Sequence, residues 1–282
     1  MTYFRYAYQD ERYEIGGKYP LPHELSGRVN CYRFVVNDDG KVEKVEYLKR
    51  GKPEKDPHFG AAKVHVERRD NFRKIMYRDR GGRPSKNRKG VFALLLELDE
   101  NKNPVHVSNL DGAGNVMENA SGVAHYALSL DEKGRKVKVL FSDKNGTRIT
   151  DRDGYYEVHY AYDDRGNMRE MSNHGKDGAL LENRDGIAII RQKFDDHKNI
   201  IEQKYLSAQG KLRENRDGFA IARMKYDESG NRVEQSHFGS SEKLKEVREG
   251  IAVWQMEYDE RGELEKIVTL DRRGKIIRPA GR

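Results

Sequence analysis

A run of cationic and aromatic side chains between residues 68 and 89 is the part of the sequence best suited to bind a ligand. Arginine and lysine attract phosphates and carboxylates, and a neighbouring aromatic ring offers a surface for stacking. The run matches no nucleic-acid-binding module, so it predicts anion binding by charge without naming a polymer. The candidate binding residues are Arg68, Arg69, Phe72, Arg73, Lys74, Tyr77, Arg78, Arg80 and Arg83.

The charge of the chain is concentrated at its N-terminal end. The formal net charge is +7, and residues 1–89 contain 22 Lys and Arg against 13 Asp and Glu, whereas residues 90–282 are nearly neutral. A basic end on a neutral body suits a polyanion such as nucleic acid, an acidic glycan or an anionic lipid surface. The alternative interpretation is a solvated basic surface without a ligand.

The other residues with chemical potential favour no reaction. Nine histidines are scattered, and Cys31 is the only cysteine, which rules out an intrachain disulfide and the common zinc-ribbon patterns. His125 and His159 are expected on the outer side of adjacent strands, where surface residues are a simpler interpretation than a metal pair. We expect no catalytic residue, no metal and no cofactor; an enzyme with its site in the divergent N-terminal repeats is the alternative.

Carboxylates recur at equivalent positions without forming a unique site. Glu170, Glu202 and Glu234 form one column, for which pairing with Arg or Lys on a neighbouring strand is the expected role. Aspartates at the turns supply one or two oxygens each, fewer than the six to eight that Ca²⁺ requires. Turn capping by the aspartate side chain explains these positions without an ion.

The elements that must position these residues are set by an internal repeat. Six glycines are spaced 32 residues apart, and an aspartate follows each after nine residues. Such self-similarity indicates a stack of small units that bury their apolar faces against one another. The glycines are Gly90, Gly122, Gly154, Gly186, Gly218 and Gly250, and the aspartates are Asp99, Asp131, Asp163, Asp195, Asp227 and Asp259.

Each unit has the pattern of a strand of eight residues, a turn, a strand of eight, a turn, a strand of four and a turn. Even positions after the glycine are mostly apolar, which predicts a half-buried strand with those positions facing inward. The stretch from Asp227 to Gly230 predicts a type I turn followed by a left-handed glycine, a common hairpin connection. Tyr162, Phe194, Tyr226, Tyr258 and Trp254 are expected in the core.

The predicted fold is therefore all-β: an elongated antiparallel β-hairpin repeat array with a 32-residue period, with a β-solenoid as the alternative. Residues 1–26 are expected to be a partial N-terminal repeat or cap, 27–89 two divergent basic repeats, and 90–282 six regular repeats of one continuous array. The last unit closes near Arg278-Pro279-Ala280. Open sheet edges at the two ends invite edge-strand self-association.

The motif Tyr-Asp-x-x-Gly-Asn occurs at Tyr162–Asn167 and Tyr226–Asn231, and with Glu263 in place of Asn at Tyr258–Glu263. It resembles the YD repeats of bacterial RHS-type proteins and is similar to bacterial surface arrays of β-hairpin repeats. RHS-type repeats are typically shorter than 32 residues, so their shell architecture is not implied here. The resemblance implies a bacterial source and a structural or binding role.

These observations favour a non-enzymatic binding or scaffold protein of the bacterial cell surface or envelope, which presents an extended face to a glycan, a cell-wall polymer or a protein. Polyanion binding through residues 68–89, to nucleic acid or an acidic glycan, is the alternative. Residues 1–25 are polar and show no signal peptide, and no apolar run is long enough for a transmembrane segment. An extracellular or envelope location is nevertheless the favoured one.

Overall fold

The structure is a computed structural model that describes residues 1–152 and 154–277. In these residues the fold is all-β, with twenty strands and two short 3-10 helices, His23–Leu25 and Arg248–Gly250. The chain divides into two compact units, Met1–Glu157 and Val158–Arg282. Asp153 and the end at Arg278-Pro279-Ala280 lie outside the described residues.

The N-terminal unit, Met1–Glu157, contains eleven complete strands. They follow one another along the chain as hairpins, and β5 is a two-residue strand. The strands are β1 (Thr2–Gln9), β2 (Ile15–Leu21), β3 (Cys31–Val36), β4 (Val42–Lys49), β5 (Lys52–Pro53), β6 (Lys63–Arg68), β7 (Phe72–Arg78), β8 (Ala93–Leu98), β9 (Pro104–Leu110), β10 (His125–Leu130) and β11 (Lys136–Ser142).

The C-terminal unit, Val158–Arg282, repeats the same hairpin design. The strand at the division is β12 (Glu157–Tyr162). The remaining strands are β13 (Met168–His174), β14 (Ile189–Phe194), β15 (Ile200–Leu206), β16 (Ile221–Tyr226), β17 (Arg232–Phe238), β18 (Val253–Tyr258), β19 (Leu264–Leu270) and β20 (Ile276–Ile277).

Pairing between these strands is antiparallel and, from β3 onward, follows chain order. In the N-terminal unit β1 lies between β2 and β3, and the ladder then runs through β4, β6, β7, β8, β9, β10 and β11. In the C-terminal unit it runs from β13 to β20. Within each unit no described strand pairs back to close the sheet. The predicted hairpin array is confirmed, and the solenoid alternative is wrong.

The turns have the predicted chemistry. At the β16–β17 hairpin the Gly230 amide donates to the Asp227 carbonyl at 3.0 Å, and Gly230 has a φ of 81°. Strand register shifts at the residue before the turn, as a glycine bulge requires. The Asp227 Oδ1 accepts the amides of Ser229 and Asn231, and its Oδ2 accepts Asn231 Nδ2 at 2.8 Å. The Asp-x-x-Gly-Asn motif is therefore a self-contained turn whose donors occupy both carboxylate oxygens.

The predicted third strand of four residues is wrong. In most repeats it is reduced to a single bridge, because the next turn begins a few residues later and leaves no room for a ladder. Two successive pairs form there in the last repeat, in β20, and in the divergent repeat 27–59, in β5. The single bridges are Leu110–Val116, Ser142–Arg148, His174–Leu180, Leu206–Leu212 and Phe238–Leu244.

The core differs from the predicted one at two places. The residue directly after each repeat glycine is buried although it faces opposite to the even positions, so both faces are covered where the first strand begins. The residues expected in the core are only half-buried: Tyr162, Phe194, Tyr226, Tyr258 and Trp254. The additional buried residues are Val91, Val123, Tyr155, Ile187, Phe219 and Ile251.

Candidate anion-binding site

The hairpin of β1 and β2 carries a turn, residues 10–14, that docks on other hairpins of the N-terminal unit. Arg12 donates a hydrogen bond to the Lys133 carbonyl. Lys136 forms an ion pair with Glu11 at 2.9 Å and lies 5.2 Å from the centre of the Tyr13 ring. This N-terminal turn therefore touches residues far away in the sequence, which the expectation of a partial repeat or cap at 1–26 did not include.

A pocket of about 350 Å³ lies where the N-terminal turn meets the ends of the β3–β4, β6–β7 and β8–β9 hairpins. We call it the basic pocket. Six cationic side chains and one carboxylate line it, so its potential favours an anion. Its lining residues are Arg12, Glu14, Lys41, Arg68, Arg69, Phe72, Arg73, Leu98, Asn101, Lys102 and Asn103.

Two arginines of the basic pocket share the Glu14 carboxylate. Arg68 and Arg73 lie directly opposite each other in the β6–β7 hairpin. The two terminal nitrogens of Arg68 donate to the two Glu14 oxygens at 3.0 and 2.6 Å, and Arg73 reaches Oε1 at 2.6 Å. Planar bidentate pairing of this kind is the geometry by which arginine recognises carboxylates and phosphates. The pocket thus already holds one carboxylate in the manner expected for an anionic ligand.

Burial makes Arg73 depend on an anionic neighbour. Its side chain is 6% exposed, and burial lowers its pKa while Glu14 opposes that shift. The Arg73 Nη1 also donates to the Arg12 carbonyl at 2.8 Å. The Nε atoms of Arg68 and Arg73 are buried and have no hydrogen-bond partner among the described residues. Unsatisfied buried donors are costly, which makes this corner receptive to an added acceptor.

The structure divides the nine predicted binding residues among different surroundings. Arg68, Arg69, Phe72 and Arg73 line the basic pocket. Lys74, Tyr77 and Arg78 line a shallower hollow of about 90 Å³, and Tyr77 also lines a pocket of about 250 Å³. Arg80 pairs with Glu54, and Arg83 with Asp79 at 3.0 Å, in the turn after β7.

Sequence reasoning missed the members of the basic pocket that come from other hairpins. Arg12 and Glu14 arrive with the N-terminal turn, Lys41 with the β3–β4 turn and Lys102 with the β8–β9 turn. One local signal was available: Asp10, Arg12 and Glu14 form the same aspartate-capped turn as the repeats, with amide distances of 2.9 and 2.8 Å to Asp10 Oδ1. This motif identifies the tip of a hairpin but does not indicate which other hairpins the tip contacts.

Histidines and acidic residues form no metal centre in the described ranges 1–152 and 154–277, where no group of three His, Cys, Asp or Glu is placed to hold an ion. His125 stacks on His106, with 5.2 Å between ring centres, and contacts Ser108 Oγ at 2.8 Å. His159 stacks on His174 at 3.9 Å. Each of these two histidines therefore stacks on another histidine ring.

The glutamate column pairs with basic residues on neighbouring strands, as predicted. Glu170 accepts from Arg191 at 2.6 Å, and Glu202 from Arg223 at 2.9 Å. Glu202 is buried rather than exposed, and Lys193 also lies 3.1 Å from it. Three cations around one carboxylate are the arrangement of a structural ion-pair network, not of an acid–base pair.

Comparison with known proteins gives remote structural likeness only. No family model matches the chain, and no curated protein matches it. A crystal structure of TcdB2-TccC3-TEV, an RHS/YD-repeat toxin complex, is 13% identical over 85% of this chain, with a TM-score of 0.22. This chain spans 15% of the length of that one. At this level of similarity the match carries no argument about function.

A porin-like protein from Bacteroides uniformis is 8% identical, with 85% of this chain and 88% of that chain covered and a TM-score of 0.34. A putative 6-phosphogluconolactonase from Bacteroides fragilis is 14% identical over 86% of this chain and 65% of that one, with a TM-score of 0.12. Neither helix in the described part of the chain has the length or apolarity to cross a membrane.

Proposed function

We propose that this chain is a non-enzymatic binding protein that recognises an anionic polymer through the basic pocket. The observation that carries the proposal is the Glu14 carboxylate gripped by Arg68 and Arg73 beside further cations of the same pocket. Arg69, Lys41 and Lys102 are exposed and add positive charge at the pocket, although Arg69 pairs with Glu67 at 3.1 Å and Lys102 donates to the Asp70 carbonyl at 2.8 Å. The repeat array serves as the frame that brings their hairpin ends together.

Among anionic polymers, an acidic glycan or cell-wall polymer fits this pocket better than nucleic acid. Proteins that bind single-stranded nucleic acid offer several aromatic rings along a basic groove, on which successive bases stack. The basic pocket has a single ring, Phe72, among its described lining residues. Isolated carboxylate or phosphate groups on a sugar chain need only the cationic contacts that the pocket supplies. The YD-like turns support a bacterial surface or envelope setting for such binding.

The test compares two double variants that remove the same charge from different places. Arg69→Ala with Lys41→Ala removes two exposed cations of the basic pocket, and Arg80→Ala with Arg83→Ala removes two exposed cations outside it. Affinity for polygalacturonate is measured by titration calorimetry at low and high salt, with dextran as the neutral polymer and duplex DNA as the competing polyanion.

We expect the pocket variant to bind polygalacturonate about tenfold more weakly, as loss of two charge contacts predicts, and the matched variant to bind almost normally. If both double variants lose the same affinity for polygalacturonate, binding depends on the overall charge and not on the basic pocket, and the proposal is overturned. If the protein binds DNA more strongly than polygalacturonate, its partner is a nucleic acid and not an acidic glycan.

A further inference from the structure

A second pocket in the N-terminal unit has the chemistry of a sugar-binding site. It measures about 250 Å³, near the lower limit of roughly 300 Å³ for small-molecule sites, so it suits one six-membered ring. We call it the aromatic pocket. Its lining residues are Gln9, Tyr13, His58, Phe59, Tyr77, Asn87, Arg88, Lys89, Leu94, Val107, Asn109 and Tyr126.

The aromatic pocket combines ring faces, amides and cations. Tyr13, Phe59, Tyr77 and Tyr126 supply aromatic surface, on which the C–H face of a pyranose packs as other apolar groups do. Gln9, Asn87 and Asn109 also line it, but their amides make hydrogen bonds within the protein. Gln9 Nε2 donates to the Tyr13 carbonyl at 3.4 Å, Asn109 Nδ2 donates to the Val123 carbonyl at 2.8 Å, and Asn87 Oδ1 accepts the Val91 amide at 3.1 Å. A ligand hydroxyl would use the amide atoms that these bonds leave over. Arg88 and Lys89 are exposed, and none of the described lining residues is acidic, so a carboxylate on the ring is favoured.

The walls of the aromatic pocket are held in place by buried hydrogen bonds. Asp56, 1% exposed, accepts the amide of Phe59 at 2.8 Å and the hydroxyl of Tyr32 at 2.7 Å. Asn119 donates to the Tyr126 hydroxyl at 2.6 Å. Burial raises the pKa of Tyr77 to about 12, which keeps its phenol neutral. A pre-organised pocket loses little entropy when it binds a ring.

Tyr13 is the most informative wall residue. It occupies the left-handed position of the N-terminal turn, with a φ of 61°, where most repeat turns have glycine. Lys102, Lys198 and Glu242 adopt the same conformation at the fourth position of their turns, so the conformation does not by itself mark a binding residue. Tyr13 differs from them because its ring lines the aromatic pocket, where it lies 5.2 Å from Lys136 Nζ.

We infer that the aromatic pocket binds one pyranose ring that bears a carboxylate, such as a uronic acid residue. The inference takes its ligand class from the proposed function, in which the polymer is an acidic glycan. The basic pocket would then attract the polymer by charge, and the aromatic pocket would select its sugar ring.

The test measures binding of three small molecules to the full chain by saturation-transfer NMR and titration calorimetry. Galacturonic acid has ring and carboxylate, galactose has the ring alone and acetate has the carboxylate alone. Tyr13→Gly removes one wall and relieves the left-handed strain, so it keeps the turn. Lys198→Gly makes the same change in a turn of the C-terminal unit, where Lys198 has a φ of 61°, and is the matched control.

We expect galacturonic acid to bind more tightly than galactose or acetate. Tyr13→Gly should weaken its binding about tenfold, the scale of a lost aromatic contact, while Lys198→Gly leaves it unchanged. Arg88→Gln should weaken the binding of galacturonic acid and leave the binding of galactose unchanged. Equal binding of acetate and galacturonic acid, or binding unaffected by Tyr13→Gly, would overturn the inference.

The two proposals fail separately. If polygalacturonate binds through Arg69 and Lys41 but galacturonic acid does not bind, the aromatic pocket is not a sugar site and the proposed function stands. Conversely, galacturonic acid could bind through Tyr13 while the Arg69 and Lys41 double variant keeps full affinity for the polymer. The sugar site would then be supported, and the proposed role of the basic pocket would be wrong.

Discussion

Arg73 and Glu14 form an ion pair, with 2.6 Å between guanidinium nitrogen and carboxylate oxygen, in which the Arg73 side chain is 6% exposed and Glu14 is 30% exposed. The pair fastens the N-terminal turn to the β6–β7 hairpin. It has two opposite consequences, because Glu14 both neutralises Arg73 and occupies the basic pocket.

Glu14→Gln should therefore lower stability and raise affinity for anions. The variant leaves the Arg73 charge buried without its partner, which costs about 2–3 kcal/mol of unfolding free energy. Polygalacturonate should bind more tightly because the pocket loses its only carboxylate. Chemical denaturation and calorimetry measure the two effects. The control is Glu54→Gln, which breaks a more exposed pair with Arg80 and should cost clearly less stability, because solvent screens exposed ion pairs.

Lys198→Gly should stabilise the protein. Lys198 adopts the left-handed conformation that glycine has in most of the turns, with a φ of 61°. Relief of that strain outweighs the added freedom of the unfolded chain, so we expect a gain of about 0.5–1 kcal/mol in chemical denaturation. Glu228→Gly is the control, because Glu228 lies in a matching turn without a positive φ. A loss of stability with Lys198→Gly would contradict this account of the turn.

Substitutions at the last residue of the Asp-x-x-Gly-Asn turn should change stability in opposite directions. Asn231→Glu replaces the 2.8 Å amide donor to Asp227 Oδ2 by a second carboxylate, and should cost about 1–2 kcal/mol. Glu263→Asn restores the donor beside Asp259 and should stabilise by about 1 kcal/mol. Thermal unfolding of the two single variants measures the effects. Changes of the same sign in both would disprove the role given to the asparagine.

Acid should destabilise the C-terminal unit through His237. This residue is 3% exposed, lies between the rings of Phe219 and Trp254, and has a buried Nδ1 without a hydrogen-bond partner among the described residues. Burial is the main cause that lowers its pKa from 6.5 to about 4. The folded state favours neutral imidazole, so this contribution is complete above pH 6.5 and is lost as pH falls toward 4.

The loss should not exceed about 1.4 kcal/mol per pH unit, the limit for one proton. Denaturation between pH 4 and 7 measures the slope, and NMR titration of the His237 ring measures its pKa directly. His237→Phe keeps an aromatic ring and should abolish this part of the slope, whereas His197→Gln, in an exposed turn, should retain it. An unchanged slope in His237→Phe would assign the acid sensitivity to other groups.

The features that could be predicted from the sequence are local. Asp227 caps amides two and four residues ahead, and Glu202 meets Arg223 on the next strand, so spacing alone indicates both. The basic pocket depends instead on the N-terminal turn, which brings Arg12 and Glu14 to Arg73. The repeat period contains no information about that docking, since residues 1–26 stand outside the regular repeats.

The predicted binding residues divide by their position along the β6–β7 hairpin. Phe72 and Arg73 lie at its turn end, in the basic pocket, whereas Tyr77 and Arg78 lie toward the opposite end of β7, in a different hollow. A run of cations that is continuous in sequence therefore extends past one pocket. The burial of the residue after each repeat glycine was not predicted either, because strand alternation places that residue on the face opposite to the apolar even positions.

The aspartate-capped turn also limits how such a chain can change length. Side chains alternate between the faces of a strand, so insertion or loss of one residue between two turns exchanges the buried and exposed sets. A whole repeat can be added or lost with every face, cap and glycine kept in place. Nearly identical turn segments, such as Asn183–Gly186 and Asn215–Gly218, are suitable points for unequal recombination. Related genes should therefore differ in length by complete repeats, and shorter changes should be confined to the divergent N-terminal part.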